Sequence, residues 1–180
     1  TTASNNTAVG YQAGYSHTTN GFLTAIGYKA GYTGNTDNAF VGYEAGYNST
    51  GGSNTAMGSY RALYSNTSGS SNTAIGREAL QANTTASNNT AVGYQAGYAN
   101  TTGSVTAVGF EAGKANTTGS ASVALGSQAL LSNTTGNSNN AIGNATMYAN
   151  TTGSNNTALG HLAMRFNTTA SNNTAVGYQA

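Results

Sequence analysis

The chain reads as an all-β protein, a parallel β-solenoid of about eleven coils of 15–18 residues. Three observations predict this. A glycine preceded by a small and an apolar residue, as in "AVG", "AIG", "FVG", "AMG" or "ALG", recurs at 10, 27, 42, 58, 76, 93, 109, 126, 143, 160 and 177. An unbroken apolar column stands directly before those glycines. The stretches between them are rich in Asn, Thr, Ser and Gly, poor helix formers and good turn formers.

Each element follows from that phase. A repeat of 15–18 residues is too short for a helix pair, which takes about 30 or more. The strand before each glycine carries Val9, Ile26, Val41, Met57, Ile75, Val92, Val108, Leu125, Ile142, Leu159 and Val176. No polar residue enters this column, so it is expected to be the core rank of a parallel stack. One place earlier stands Ala8, Ala25, Ala56, Ala74, Ala91, Ala107, Ala124, Ala141, Ala158 and Ala175, with Phe40 the exception. Strand side chains alternate between faces, so this Ala rank is expected on the opposite, outer face. A flat face of small residues admits a second chain closely, which makes it the candidate association rank. Phe40 must then fit a local gap.

A second strand is expected after the glycine, in "YQAGY" or "SQALL", with Ala13, Ala30, Ala45, Ala79, Ala96, Ala112, Ala129, Ala163 and Ala180 in one column. The closing turn reads "NTTGS" or "NTTAS" from Asn83, Asn100, Asn116, Asn150 and Asn167, and "NTTGN" from Asn133. Asn and Thr bond locally to backbone and Gly takes positive φ, so this is turn chemistry. "SYRA" at 59–62 carries one extra residue. A three-sided β-helix of hexapeptides, nearer 18 residues per coil, ranks second.

Composition removes several classes. There are 25 Gly, 25 Asn, 29 Thr and 18 Ser, no Pro, no Trp and no Cys. Five Lys or Arg and four Asp or Glu leave a formal net charge of +1. Scattered cations cannot neutralise a phosphate backbone, so nucleic acid is not an expected partner. Without cysteine there is neither a disulfide nor a thiolate metal site. No run of about 20 apolar residues stands in this segment, so it is not expected to insert into a membrane.

"TTASNNTAVGYQA" occupies 1–13 and returns unchanged at 84–96 and 168–180. The chain therefore reads as one repeat array, 1–180, with five-coil block boundaries near 84 and 168. Its abrupt ends suggest an internal piece of a longer fibre.

Catalytic chemistry is sparse. His17 and His161 stand nine coils apart, roughly 40 Å at about 4.8 Å per coil. Glu44, Glu78 and Glu111 share a column in alternate coils, about 10 Å apart, too far for a carboxylate pair. Asp37 is the only Asp, so no Asp-rich calcium loop exists. No nucleophile elbow or phosphate loop occurs. The reading is not an enzyme, with no catalytic residue, no metal and no cofactor.

Two features remain for binding. Tyr11, Tyr28, Tyr43, Tyr94 and Tyr178 form one rank, with Phe110 in line; Tyr15, Tyr32, Tyr47, Tyr98 and Tyr148 form another. These are candidate adhesive ranks for host-surface glycans, or ladders that stabilise neighbouring coils. Thirteen Asn satisfy N-x-[ST], which the repeated "NTT" and "NNT" turns account for.

"SVALGSQA" at 122–129 resembles the head-domain repeat of trimeric autotransporter adhesins. "NTAVGYQAG" at 6–14 is similar to it, and closer to repeats of phage and bacterial tail-fibre-like proteins. The resemblance implies a left-handed β-roll, a homotrimer of parallel chains, and an extracellular, cell-surface or virion location. The coil is longer here and the Tyr ranks are a departure.

The expected function is a structural fibre or filament segment, a stalk that spaces or presents a tip, with self-association and weak surface adhesion. An ice-binding solenoid is one alternative: Thr stands three before the glycine in most coils, interrupted by Ala39, Val123 and Asn140. That rank shares a face with the expected core column, so it is expected to be largely buried. A carbohydrate-binding module using the Tyr ranks is the other alternative.

Overall fold

The computed structural model describes residues 4–18, 21–33 and 37–180. Eleven strands form one sheet in chain order: β1 (Thr7–Val9), β2 (Thr24–Ile26), β3 (Ala39–Tyr43), β4 (Thr55–Tyr60), β5 (Thr73–Ile75), β6 (Thr90–Val92), β7 (Val105–Val108), β8 (Ser122–Leu125), β9 (Asn140–Ile142), β10 (Thr157–Leu159) and β11 (Thr174–Val176). Every neighbouring pair is parallel and joins equivalent positions, as in Ala91↔Ala107 and Val92↔Val108. Strand contacts run only between consecutive strands, and the described residues contain no helix. The chain is a parallel β-solenoid.

The second strand expected after the glycine does not form. Ten of the anchor glycines have φ between +129° and +137°, and the residue two or three places on is left-handed in every coil, from +48° at Arg61 to +61° at Leu162. Extended alternation cannot persist through such angles, so this leg is a chain of turns. Its backbone still bonds coil to coil: Lys29 N–H donates to Tyr11 O at 2.8 Å, Gly97 N–H to Ala112 O at 2.9 Å. Gly93 shows why the anchor must be glycine. Its φ is +133°, and a Cβ there would run into the Gly109 carbonyl of the next coil.

The in–out assignment of the strand is the reverse of the expected one. Ala25, Ala56, Ala74, Ala91, Ala107, Ala124 and Ala141 are fully buried and Ala158 is 1% exposed. In the outermost coils, Ala8 is exposed and Ala175 half-buried. The aliphatic column faces out. Ile26, Met57, Ile75, Val108, Ile142 and Leu159 are 37–47% exposed, Val9 and Val176 more so, and Val41, Val92 and Leu125 are half-buried. The alternation was right and its parity wrong. Each coil is too thin to hold a branched side chain from every strand, so small residues go inside.

The interior is made of layers. The strand Ala meets a second Ala rank from the turn leg, Ala30, Ala45, Ala62, Ala79, Ala96, Ala112, Ala129 and Ala163, all fully buried. From the strand side, larger side chains enter beside glycines. Phe40, fully buried in the Ala rank, lies where a Cβ on Gly31 would stand 2.8 Å from its ring. Val105 fills the space beside Gly97 and Gly113, at 3.6 Å from each missing Cβ. Where the turn leg carries Leu63, Leu80, Leu130 or Met147 instead of glycine, that residue fills its own coil.

Candidate functional site

The remaining volume is filled by asparagine, which the sequence reading had assigned only to turns. Asn66, Asn83, Asn100, Asn116, Asn133 and Asn150 are at most 1% exposed. Asn66 donates to the Ser49 hydroxyl at 2.9 Å, and each later amide donates to the Oδ1 of the Asn one coil before: Asn83 to Asn66 at 2.9 Å, Asn116 to Asn100 at 2.8 Å, Asn150 to Asn133 at 2.8 Å. The same Nδ2 also caps its own turn, as Asn116 does on Gly119 O at 2.9 Å. A second ladder stands before the strands. Asn54 Oδ1 accepts from Asn72 N–H at 2.9 Å, and Asn72 Oδ1 from Asn89 N–H at 2.9 Å. Val105 takes the next place in that column and cannot extend it; the ladder resumes through Ser122 and Asn139. His17 holds the first ladder's position in the first coil, and its ring nitrogens are buried without a hydrogen-bond partner among the described residues. Six of the thirteen sequon asparagines are buried in the first ladder and are therefore closed to modification in the folded chain.

The aromatic ranks are stacked ladders. Tyr11, Tyr28, Tyr43 and Tyr60 follow one another at 5.0–5.3 Å between ring centres. Tyr15, Tyr32, Tyr47 and Tyr64 do so at 4.9–5.3 Å. Tyr60 and Tyr64 were missed in the sequence because the extra residue at Ser59 shifts them one place; buried Ala62 marks the shift. At this spacing each ring covers its neighbour's face. A sugar cannot stack within the ladders, which offer only ring edges. Tyr94 pairs with Phe110 at 5.4 Å, and Tyr178 tilts against His161 at 5.5 Å. Tyr148 lies under Arg165, and Tyr98 has no ring partner among the described residues.

Between the two aromatic ladders runs a polar row whose left-handed backbone aligns Lys29, Glu44, Arg61, Glu78, Gln95, Glu111 and Gln128. The three carboxylates of the column do alternate with other residues, and each has a partner one coil on. Arg61 Nε donates to Glu44 at 2.7 Å, Gln95 Nε2 to Glu78 at 2.7 Å, and Gln128 Nε2 to Glu111 at 3.2 Å. Lys114 Nζ adds a 2.6 Å contact to Glu111, and this bond holds that carboxyl below the usual carboxylate range. Arg61 also covers Tyr60 and Tyr64, at 4.9 and 4.8 Å from the ring centres. These bonds tie neighbouring coils together in pairs.

On the far side of the strands lies one flat face. The Thr rank (Thr24, Thr55, Thr73, Thr90, Thr106) is half-buried rather than interior, and alternates with the exposed aliphatic column. Among the described residues, no three His, Asp or Glu side chains come together as metal ligands do, and no helix is long and apolar enough to cross a membrane. Compared with protein-family models, with curated proteins and with solved structures, the chain matches none.

Proposed function

We propose that the chain is a rigid shaft segment of an extracellular fibre, associating side by side with copies of itself. The observation that supports it best is the strict order β1 to β11 in a single parallel sheet, each strand bonded only to its neighbours. Such an array sets length by copy number and has no centre around which a single site is organised. Buried amide ladders and stacked rings reinforce the same axis.

Self-association is assigned to the aliphatic face, because the Ala rank first considered for it lies inside the coil. A continuous apolar stripe of Ile26, Val41, Met57, Ile75, Val92, Val108 and Leu125 is larger than isolated surface residues account for. Covering it with equivalent stripes in a parallel homotrimer removes it from water. The resemblance to adhesin and tail-fibre repeats supports this number of chains.

The test combines light scattering with electron microscopy. Removing one five-coil block, the 83 residues from Tyr11 to Gly93, rejoins "NTAVG" to "YQAG". It should shorten the rod by about 24 Å while the rest stays folded. Three chains per particle are expected. A monomer at all concentrations, or collapse of the shortened protein, refutes the shaft.

The outward Thr–aliphatic face also supports a second reading, binding to ice, because regularly spaced Thr and aliphatic side chains are presented together on a flat sheet. Strong thermal hysteresis from a monomeric chain would favour it over the fibre, since one face cannot serve both uses.

A further inference from the structure

The outer aromatic ladder is continuous only as far as Tyr64, and a hollow lies beyond it beside Tyr98. Tyr15, Tyr32, Tyr47 and Tyr64 cover one another. The equivalent positions then read Gln81, Tyr98, Lys114, Leu131 and Tyr148. Tyr98, between Gln81 and Lys114, therefore stands half-exposed with no ring partner among the described residues. Lys114, in the next coil, does not replace the missing ring. Its ammonium turns aside to Glu111, 2.6 Å away. The result is a hollow of about 430 Å³ bounded by Tyr98, Ala99, Glu111, Lys114, Leu131 and Ser132.

Its dimensions follow from the coil spacing. Tyr98 and Leu131 are two coils apart, about 9.6 Å. Subtracting one contact distance of about 3.5–4 Å leaves a slab of about 6 Å. That is thicker than an aromatic ring and suits the puckered chair of a pyranose. The walls carry complementary chemistry. The free Tyr98 face has the negative charge of the ring quadrupole, which attracts the weakly positive C–H groups along one side of a sugar. Leu131 closes the opposite side. Glu111 accepts from sugar hydroxyls, Lys114 donates to them, and Ser132 can do either. An apolar slot with a few convergent polar groups is the usual composition of a small-molecule site.

We infer that the ladder break at Tyr98 is a binding site for a single neutral hexopyranose ring, carried on the side of the shaft. The mutual pairing of Glu111 and Lys114 leaves the slot near neutrality, which selects an uncharged sugar over an anionic one. The inference goes beyond the shaft reading and does not need it: the site lies on the turn leg, away from the aliphatic face.

The test is saturation-transfer NMR and titration calorimetry on the whole chain with methyl glucopyranosides, galactopyranosides and mannopyranosides, and with benzoate as a flat control. A ligand of this size should bind with Kd of about 1 mM. Tyr98→Ala should weaken binding at least tenfold and Tyr98→Phe should restore it. Lys114→Tyr supplies the missing ring and should abolish binding while the far-ultraviolet spectrum and melting profile are kept. Tyr47→Ala, inside the intact ladder, should leave affinity unchanged. Failure of every hexopyranoside to bind the parent chain at 100-fold above about 1 mM, binding that survives Lys114→Tyr, or a preference for benzoate overturns the assignment.

Discussion

Replacing Asn116 by Ala removes three buried hydrogen bonds at once. The parent amide donates to Asn100 Oδ1 at 2.8 Å and to Gly119 O at 2.9 Å, and accepts from Asn133 Nδ2 at 3.0 Å. The site is 1% exposed, so solvent does not replace these partners without entering the coil. Each orphaned buried group costs about 1–3 kcal/mol. Taking the low end for each, because a water can occupy part of the vacated volume, gives about 3 kcal/mol. Coils bond only to their neighbours, so the loss should appear as local opening, which native-state hydrogen exchange reads. The amides of Asn116 and Thr117, bonded to Gly113 O and Thr134 O, should lose protection about 100-fold or more. Thr117→Val is the control. Its hydroxyl bonds to Thr134 O at 3.0 Å from a half-exposed position, so its loss should cost about 0.5 kcal/mol. Asn116→Asp separates shape from donor. The carboxylate would face Asn100 Oδ1 and Gly119 O, two acceptors, so its folded pKa is raised. Stability is then retained at low pH and lost as pH rises through that value. Equal protection in Asn116→Ala and Thr117→Val refutes the ladder reasoning.

Phe40→Ala should cost about 3–5 kcal/mol by chemical denaturation, since Gly31 and Gly46 leave nothing to collapse into the hole. Ala107→Asp should unfold its coil by burying an unpaired carboxylate, whereas Val108→Asp should leave the secondary structure of the chain intact and act on its association; circular dichroism with light scattering separates the two. The lowered pKa of Glu111, caused first by its bond to Lys114 and then by Gln128, gives stability that is present at neutral pH and lost as pH falls through the folded value. At this partly exposed site the effect should stay below about 1 kcal/mol and vanish in Glu111→Gln, as an acid titration followed by circular dichroism will show.

Much of this architecture was legible in the sequence. The glycines that need positive φ fixed the coil boundaries, and with them the parallel, in-register sheet. The Tyr columns were visible as columns because side chains one coil apart must meet in a stack. Phe40 was visible as an exception that needed a gap. The sense of the strand was not. Alternation says that Ala107 and Val108 face opposite ways, but the preference for burying the larger apolar residue pointed to Val108. The asparagines were read as turn formers, which they are, since each caps its own turn. Their second role needs the amide of the previous coil within reach, and spacing alone does not show which way the side chain turns.

The sequence by itself determined the repeat, its phase and its parallel stacking, because backbone conformation at glycine and equal spacing are local properties. The tertiary structure decided what is inside. The distance between the two legs of a coil leaves room for Ala and Asn and not for a branched side chain at every turn. That distance is set by the left-handed residues after each glycine, which the sequence writes as ordinary Gln, Lys, Glu and Arg. It turns the aliphatic column outward to solvent or to another chain.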